Sequence, residues 1–398
     1  MSYLDKLLDG AEVEWKTLGD TCDIKTGKGI TKNDSSASAL YPIISGGKEP
    51  MGYYEKFNRT ENTVTISRVG ANAGFVSFLD RKFYLNDKCF SVLPIEKYKS
   101  KIDSKFLFYI LKTKETSITE LQSQGGVPTI NTTKVGSISI PIPPLEVQKE
   151  IVRILDKFTE LTAELTAELT AELTARKQQY EHYRDKLLNF NKLNGGGYKW
   201  LTMSELGIFQ RGKRFVKDDM ISEGVPCIHY GEMYTYYGTW AKESKSFLSE
   251  ELVERKNLRI AENGDVVIVA AGETIEDIGL GTAWLGDEGV VIHDACFSYR
   301  SPLNPKYVAY FTRTKQFHDQ IKKHISSGKI SAINARGLEK VLIPVPSPEE
   351  QERIVTILDK FDILTTSISE GLPKEIELRK KQYEYYRDLL LSFPKENA

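Results

Sequence analysis

Two stretches of this 398-residue chain are near copies of two others, and that duplication restricts its possible folds more than any single motif. Residues 141–158, PIPPLEVQKEIVRILDKF, return as 344–361, PVPSPEEQERIVTILDKF. Residues 176–190, RKQQYEHYRDKLLNF, return as 379–393, RKKQYEYYRDLLLSF. The offset of 203 residues is the same on both sides of the intervening segment, yet the two intervening segments are unrelated. In the first copy that segment is a run of three complete Thr-Ala-Glu-Leu repeats from Thr162 to Leu173; in the second it is Asp362–Leu378, broken by Gly371-Leu372-Pro373. No Gly or Pro occurs from Leu145 to Asn194, so residues 146–190 are expected to form one helix about 68 Å long at roughly 1.5 Å per residue. The second copy should be interrupted at its Gly and Pro. A four-residue repeat lies close to the helical period, so Leu161, Leu165, Leu169 and Leu173 form a slowly drifting stripe that sets the length of the spacer. Ile151, Ile154, Leu155 and Phe158 share one helical face, as do Ile354, Ile357, Leu358 and Phe361. The two helices can bury these faces against each other as an antiparallel pair.

The parts ahead of each helix correspond more loosely. Tyr41–Gly47 parallels Val225–Gly231, Asn86–Ser91 parallels His293–Ser298, and Pro128–Asn131 parallels Ser331–Asn334. The chain also opens on Tyr3-Leu4-Asp5-Lys6-Leu7-Leu8, a fragment resembling Tyr183–Leu188 and Tyr386–Leu390. It therefore begins with the tail of the unit whose last copy ends it. Such a circular order predicts neighbouring termini and pseudo-two-fold symmetry. The expected division is 1–14 as the piece completing the circle, 15–140 and 200–343 as globular α/β domains, and 141–199 and 344–398 as the helical regions. Short β-branched runs such as Val64–Ile66, Gly74–Phe78 and Val266–Val269 read as strands. Phe106–Leu111 and Tyr307–Phe311 read as core-facing helices.

Net charge is −1, but it is unevenly spread. Residues 15–140 carry a clear excess of Lys and Arg, which suits phosphate contact. Residues 200–343 are nearly neutral, although Arg211, Lys213, Arg214 and Lys217 cluster at their start. Cys22, Cys89, Cys227 and Cys296 stand far apart without a C-x-x-C, and read as buried thiols of a cytoplasmic protein. There is no apolar leader, and no run is long enough to span a membrane. No catalytic set emerges. The phosphate-loop glycine spacing, the Asn/Asp-Pro-Pro-aromatic stretch of amino-methyltransferases and a nuclease-type Pro-Asp are all missing. His293-Asp294-Ala295-Cys296 invites a metal reading, but its parallel Asn86-Asp87-Lys88-Cys89 lacks the histidine and favours a structural strand end. His182, His318 and His324 read as solvated. Residues 229–240, rich in Tyr and bracketed by glycines, read as a half-buried hairpin or a DNA-facing surface. Basic and polar side chains near glycine turns are the DNA-contact candidates: Lys28, Lys32, Arg68, Lys88, Gln124 and Lys134 in the first domain. In the second they are Arg211, Lys213, Arg214, Tyr230, Tyr234, Tyr236, Lys329 and Arg336.

The duplicated P-[I/V]-P…Q-x-x-I-V-x-I-L-D-K-F, the paired R-K-x-Q-Y-x-x-Y-R-D-x-L-L-x-F and the Thr-Ala-Glu-Leu run together resemble the specificity subunit of Type I restriction–modification enzymes. The likeness is to the class with Thr-Ala-Glu-Leu repeats in its central helix. It implies two α/β target-recognition domains in tandem, separated by two long antiparallel coiled-coil helices in a pseudo-two-fold circular arrangement. Each domain would read half of a split site on double-stranded DNA through the major groove. The helices would dock two modification subunits, with Tyr180, Tyr183, Arg184, Tyr383, Tyr386 and Arg387 as candidate docking residues. Those partners would bind S-adenosylmethionine and methylate adenine N6, while restriction subunits would supply ATP- and Mg-dependent translocation and cleavage. The chain itself would hold no cofactor or metal and would not be an enzyme alone. A coiled-coil scaffold without a DNA role and a stand-alone DNA-modifying enzyme are the competing readings.

The resemblance gives the repeat a physical meaning. Each copy advances a helix about 6 Å and rotates it by about 400°, a net 40°. One base pair advances about 3.4 Å and rotates about 34–36°. One repeat can thus re-phase a recognition domain by about one base pair. The resemblance implies that family members differ in repeat number and spacer length in this way, and that three copies go with the longer spacer of about seven base pairs.

Overall fold

The computed structural model describes residues 3–123, 126–190, 198–326, 328, 330–366 and 371–394. The fold is mixed helix and strand, and the chain divides into two compact units, residues 1–167 with 378–398 and residues 168–377. A single helix, Leu145–Leu188, runs for 44 residues, about 66 Å. Its first part belongs to the first unit and the rest to the second. The predicted 146–190 helix is therefore present, one residue earlier at its start and two shorter at its end.

Each unit is built on an antiparallel sheet whose middle strand follows a tight turn. In the first unit the spatial order is Cys22–Thr26, Cys89–Pro94, Thr63–Ser67, Val76–Leu79. In the second it is Ile208–Arg211, Cys296–Arg300, Val266–Val269, Gly281–Trp284, with Trp240–Ala241 added in parallel at the edge. A smaller sheet accompanies each. Tyr41–Ile44 pairs in parallel with Tyr84–Leu85, as Val225–Ile228 does with Val290–Ile292. A two-stranded ribbon closes each domain: Trp15 opposes Pro141 in one and Trp200 opposes Pro344 in the other. The predicted strands at 64–66, 74–78 and 266–269 and the helices at 106–111 and 307–311 all appear. Only the strand expected at 74–78 starts later, at Val76.

One helix in each domain covers the main sheet and joins it to the long helices. Its N-cap is Asp103 in the first unit and Asn304 in the second, and each side chain accepts two backbone N–H groups. The cap residue's own N–H donates to the amide oxygen of a buried glutamine, Gln148 at 2.9 Å and Gln351 at 2.8 Å. About two turns along the long helix, Lys105 and Tyr109 hold the two oxygens of Asp156 at 2.8 and 2.7 Å. Lys306 and Tyr310 hold Asp359 at 2.7 Å each. Ile151 and Leu155 complete the first core with Val64, Phe90 and Leu107; Ile354 and Leu358 do the same with Val266, Phe297 and Phe311.

The helices pair antiparallel inside each unit. Phe158 meets Tyr386 and Thr159 meets Tyr383 in the first; Phe361 stacks on Tyr183 in the second. The second copy is two helices, Pro348–Thr366 and Leu372–Leu390. Gly371 caps the latter through its carbonyl, and Pro373 sits in the first turn, where its missing N–H costs nothing. The leucine stripe is not a uniform seam: Leu161 is 47 % exposed and Leu169 only 8 %. A four-residue step drifts about 40° per copy, so successive leucines leave any narrow interface.

Both ends of the chain lie in one core. Leu4 and Leu8 of the opening helix pack with Leu390, Leu391 and Phe393, and Trp15 Nε1 donates to the Pro394 carbonyl at 3.0 Å. Phe393 meets Phe106 edge-on at 5.9 Å. Phe393→Ala is expected to cost the first unit about 3–5 kcal/mol. Calorimetry of the full chain should show one transition falling by several degrees while the second domain's transition stays in place.

Candidate nucleic-acid interface

Both main sheets end in the same turn, and its backbone is held by the same device. In the first unit the Asn86 carboxamide accepts the Lys88 N–H at 3.0 Å and donates to the Ile30 carbonyl at 2.9 Å. Gly27 passes so close that a Cβ there would lie 2.1 Å from the Leu85 oxygen. In the second unit His293 takes the asparagine's place, its Nδ1 accepting the Ala295 N–H at 3.1 Å. Gly212 passes equally close, with a Cβ falling 2.2 Å from the His293 oxygen. His293 is thus a strand-end cap. Among the described residues no group of three or more His, Cys, Asp or Glu side chains could hold a metal.

Around the first turn the structure gathers Lys28, Arg68 and Lys88. The Arg68 backbone donates to the Lys88 carbonyl and the Lys28 backbone to the Leu85 carbonyl. Arg68 reaches the Asp87 carbonyl through Nη1 at 3.2 Å, and its guanidinium lies over the Phe90 ring at 5.4 Å. Arg68 Nε is buried with no acceptor in the protein. The glycine loop joins this edge, since Val69 bridges Thr129 and Ile130 N–H donates to the Arg68 carbonyl. Lys32 is exposed on a separate 3-10 turn, and Lys134 is tied by Nζ to the Leu121 carbonyl at 2.9 Å. Gln124 lies outside the described residues.

The second turn borders an open cleft of about 820 Å³, lined by Arg211, Arg214, Lys217, Tyr230 and the two histidines His229 and His293. Arg211 Nε donates to the Asp294 carbonyl at 2.9 Å, with the guanidinium 6.0 Å from the Phe297 ring. Lys213 and Arg336 stand outside this cleft, and Lys329 lies outside the described residues. The segment 229–240 is not the predicted hairpin. It forms a helical turn, Glu232–Thr235, because the Glu232 carboxylate turns back to accept the His229 N–H at 3.0 Å and the Ser246 hydroxyl. Tyr234 therefore packs into the domain with its hydroxyl against Gly272, while Tyr236 is left exposed beside Lys245.

His229 and His293 face each other at 4.6 Å, with Tyr230 4.6 Å from the first and Phe215 5.1 Å from the second. Both rings are held below the ordinary imidazole pKa, chiefly by burial. For His229 the neighbouring His293 and Lys217 add to this, against Glu232 and Asp294. For His293 Arg214 adds to it, against Asp294 and the Phe215 carbonyl. Asp294 Oδ1 is 3.0 Å from the His293 Nδ1 that accepts the cap N–H, and can pair with it only once the ring is protonated. Sequence reasoning read His293 as structure and passed over His229 and Phe215. His318, read as solvated, is half-buried and its pKa is lowered by burial. All four cysteines are free and buried, with burial raising each thiol to about 11 or 12.

The candidate docking residues divide. Tyr180, Arg184, Tyr383 and Arg387 turn inward: Arg184 lies over Tyr180 and pairs with Asp185, and Arg387 pairs with Asp388. Tyr183 and Tyr386 remain partly open, and Tyr385, unmarked by the sequence, is 65 % exposed. Among the described residues no helix is long and apolar enough to cross a membrane.

Comparison with known proteins agrees across the whole chain. The family model for the type I restriction modification DNA specificity domain matches residues 11–175 and again 186–378. The EcoR124I/EcoR124II specificity subunit of Escherichia coli is 34 % identical, over 99 % of this chain and 98 % of its own. A putative type I specificity subunit of Haemophilus influenzae is 33 % identical, over 98 % of each. Among solved structures, a chain from work on complex assembly and conformational transition of the type I R-M system aligns with a TM-score of 0.68 at 17 % identity. It covers 95 % of this chain and 97 % of that one. The HsdS subunit from Thermoanaerobacter tengcongensis gives 0.55 at 17 %, over 95 % and 96 %.

The histidine pair makes a pH prediction. Folding lowers both imidazole pKa values from an unfolded value near 6.5, so below that pH the unfolded chain binds more protons and stability falls as pH drops. His293→Asn keeps the cap, as Asn86 does in the first unit, and removes one titrating group. The urea midpoint of the second domain's transition should fall less between about pH 7.5 and 5.5 in this variant than in the wild type.

Proposed function

The chain belongs to the family of type I restriction–modification DNA specificity subunits, and on that premise we propose that it reads a bipartite site on double-stranded DNA. One half-site falls to each α/β domain, and the length of the Leu145–Leu188 helix sets the spacer between them. The observation that carries this reading is the pairing of sameness and difference within one molecule. The two domains keep the same sheet, closing ribbon, strand-end turn and helix lock. At the sheet edges where the turns lie, however, most of the side chains they present differ, as Asn86 and Lys88 stand where His293 and Ala295 do. Two copies of one fold with different edges suit two different short sequences, as base readout requires. Chemistry is assigned to partners. Two modification subunits would bring S-adenosylmethionine to adenine N6, docking on the helical regions near Tyr183, Tyr385 and Tyr386. Restriction subunits would bring ATP and Mg.

In this reading Leu161, Leu165, Leu169 and Leu173 matter as steps of a ruler. The helix is unbroken across them, so a four-residue change is transmitted without a soft joint. Deleting Thr170–Leu173 should shorten the spacer of about seven base pairs by one, leaving both half-sites intact. Methylome sequencing of a host carrying the variant with its modification subunits reads this directly. An unchanged spacer would overturn the ruler.

A further inference from the structure

An arginine stands at the same place in both domains although it comes from different positions in the chain. The register identifies the equivalents. Thr26 opposes Phe90 as Arg211 opposes Phe297. Across the other edge of the middle strand, the Arg68 N–H donates to the Lys88 carbonyl as the Ala270 N–H donates to that of Ala295. Arg211 therefore occupies the position of Thr26, and Arg68 that of Ala270. The two arginines rise from opposite neighbours of the middle strand, yet they end alike. Arg68 Nη1 donates to the Asp87 carbonyl and lies 5.4 Å from Phe90. Arg211 Nε donates to the carbonyl of Asp294, the counterpart of Asp87, and lies 6.0 Å from Phe297, the counterpart of Phe90.

Position in space has been kept while position in sequence has not. Fold alone does not require this, because Thr26 and Ala270 fill the vacated positions and still make their backbone pairings with the middle strand and its turn. The chemistry is that of a held fork. The ring below fixes the guanidinium plane, a single hydrogen bond fixes its rotation, and further N–H donors are left over. Arg211 keeps both Nη groups beside the open cleft. Arg68 keeps Nη2 and the second N–H of Nη1, while its Nε is buried and turned away from any base.

Resting on the bipartite reading above, we propose that Arg68 and Arg211 are the specificity-determining residues of their respective half-sites. Each presents its fork to a base edge carrying two adjacent acceptors, the O6 and N7 of a guanine in the major groove. The neighbouring lysines Lys28 and Lys88 and the cleft residues Arg214 and Lys217 serve the phosphates around it.

The test uses the chain assembled with its modification subunits and duplexes carrying every single-base change across the site found by methylome sequencing. If the wild-type complex shows no bipartite site, the functional reading fails and the proposal falls with it. Given a site, Arg68→Ala should relax discrimination at one G·C pair by roughly 5- to 150-fold, and Arg211→Ala should do so at one G·C pair of the opposite half-site. The unaffected half-site in each variant reports that the complex is folded. If an alanine variant does not assemble, Arg68→Lys and Arg211→Lys carry the same expectation, because a single ammonium cannot reproduce the fork. Uniform weakening on all duplexes, with the salt dependence reduced by about one phosphate contact, would overturn the proposal in favour of backbone contacts. So would unchanged discrimination, or a half-site without guanine.

Discussion

The interaction on which the rest of the molecule depends is the lock between each recognition domain and its long helix. A buried glutamine, Gln148 or Gln351, accepts the N–H of the residue capping the domain's helix and donates to the carbonyl of the proline five residues before it, Pro143 or Pro346. One amide thus ties together the cap, the proline turn and the long helix. Asp156 and Asp359 repeat the tie about two turns further, each taking a lysine and a tyrosine. Hydrogen bonds to a charged group are worth about 1.5–3 kcal/mol each when sheltered. The second lock is the stronger by this measure, since the Lys306–Asp359 side chains are 20 % and 23 % exposed against 39 % and 38 % for Lys105–Asp156. The lock matters beyond its energy. A domain held at two points about two turns apart cannot swivel on the helix, so its orientation is an attribute of the helix itself.

Such rigid attachment explains which parts of the duplication were free to change. The lock, the proline turn and the Tyr/Phe pairs between helices recur in both units with matching partners, such as Phe158 with Tyr386 and Phe361 with Tyr183. Between these fixed ends the sequence is either Thr-Ala-Glu-Leu repeats or an unrelated segment of equal length. Length is what the two segments share. Within the repeat run the leucines do not share one environment, Leu161 being exposed and Leu169 buried.

The sequence exposed this architecture because internal repetition leaves a record that needs no packing to interpret. The two domains, the long helix, its interrupted partner and the shared core of the termini were all legible from copied segments such as Tyr3–Leu8. Side-chain direction was not. Residues 229–240 look like a hairpin by composition. The Glu232 carboxylate, folding back on the His229 N–H, makes them a helical turn and sends Tyr234 inward. Tyr180 and Arg184 have the chemistry of a docking surface, yet Tyr180 is buried in the second core and Arg184 lies over it and pairs with Asp185 on the same helix. Arg68 and Arg211 were visible as basic residues but not as equivalents, because no alignment places them in one column. Only the strand register brings them to one place.

The two domains secure one backbone turn with different side chains. The turn at the end of the middle strand demands little of sequence: a glycine for close approach, and a side chain able to accept one N–H. Asn86 and His293 meet that second demand with different chemistry. Once backbone geometry is secured by such minimal means, the surrounding positions are released. A guanidinium can then be supplied from either flanking strand, provided the Phe below and the Asp carbonyl beside it remain to hold it. A scaffold that fixes the receptor of the side chain, and leaves its origin open, can change what it reads without changing how it folds.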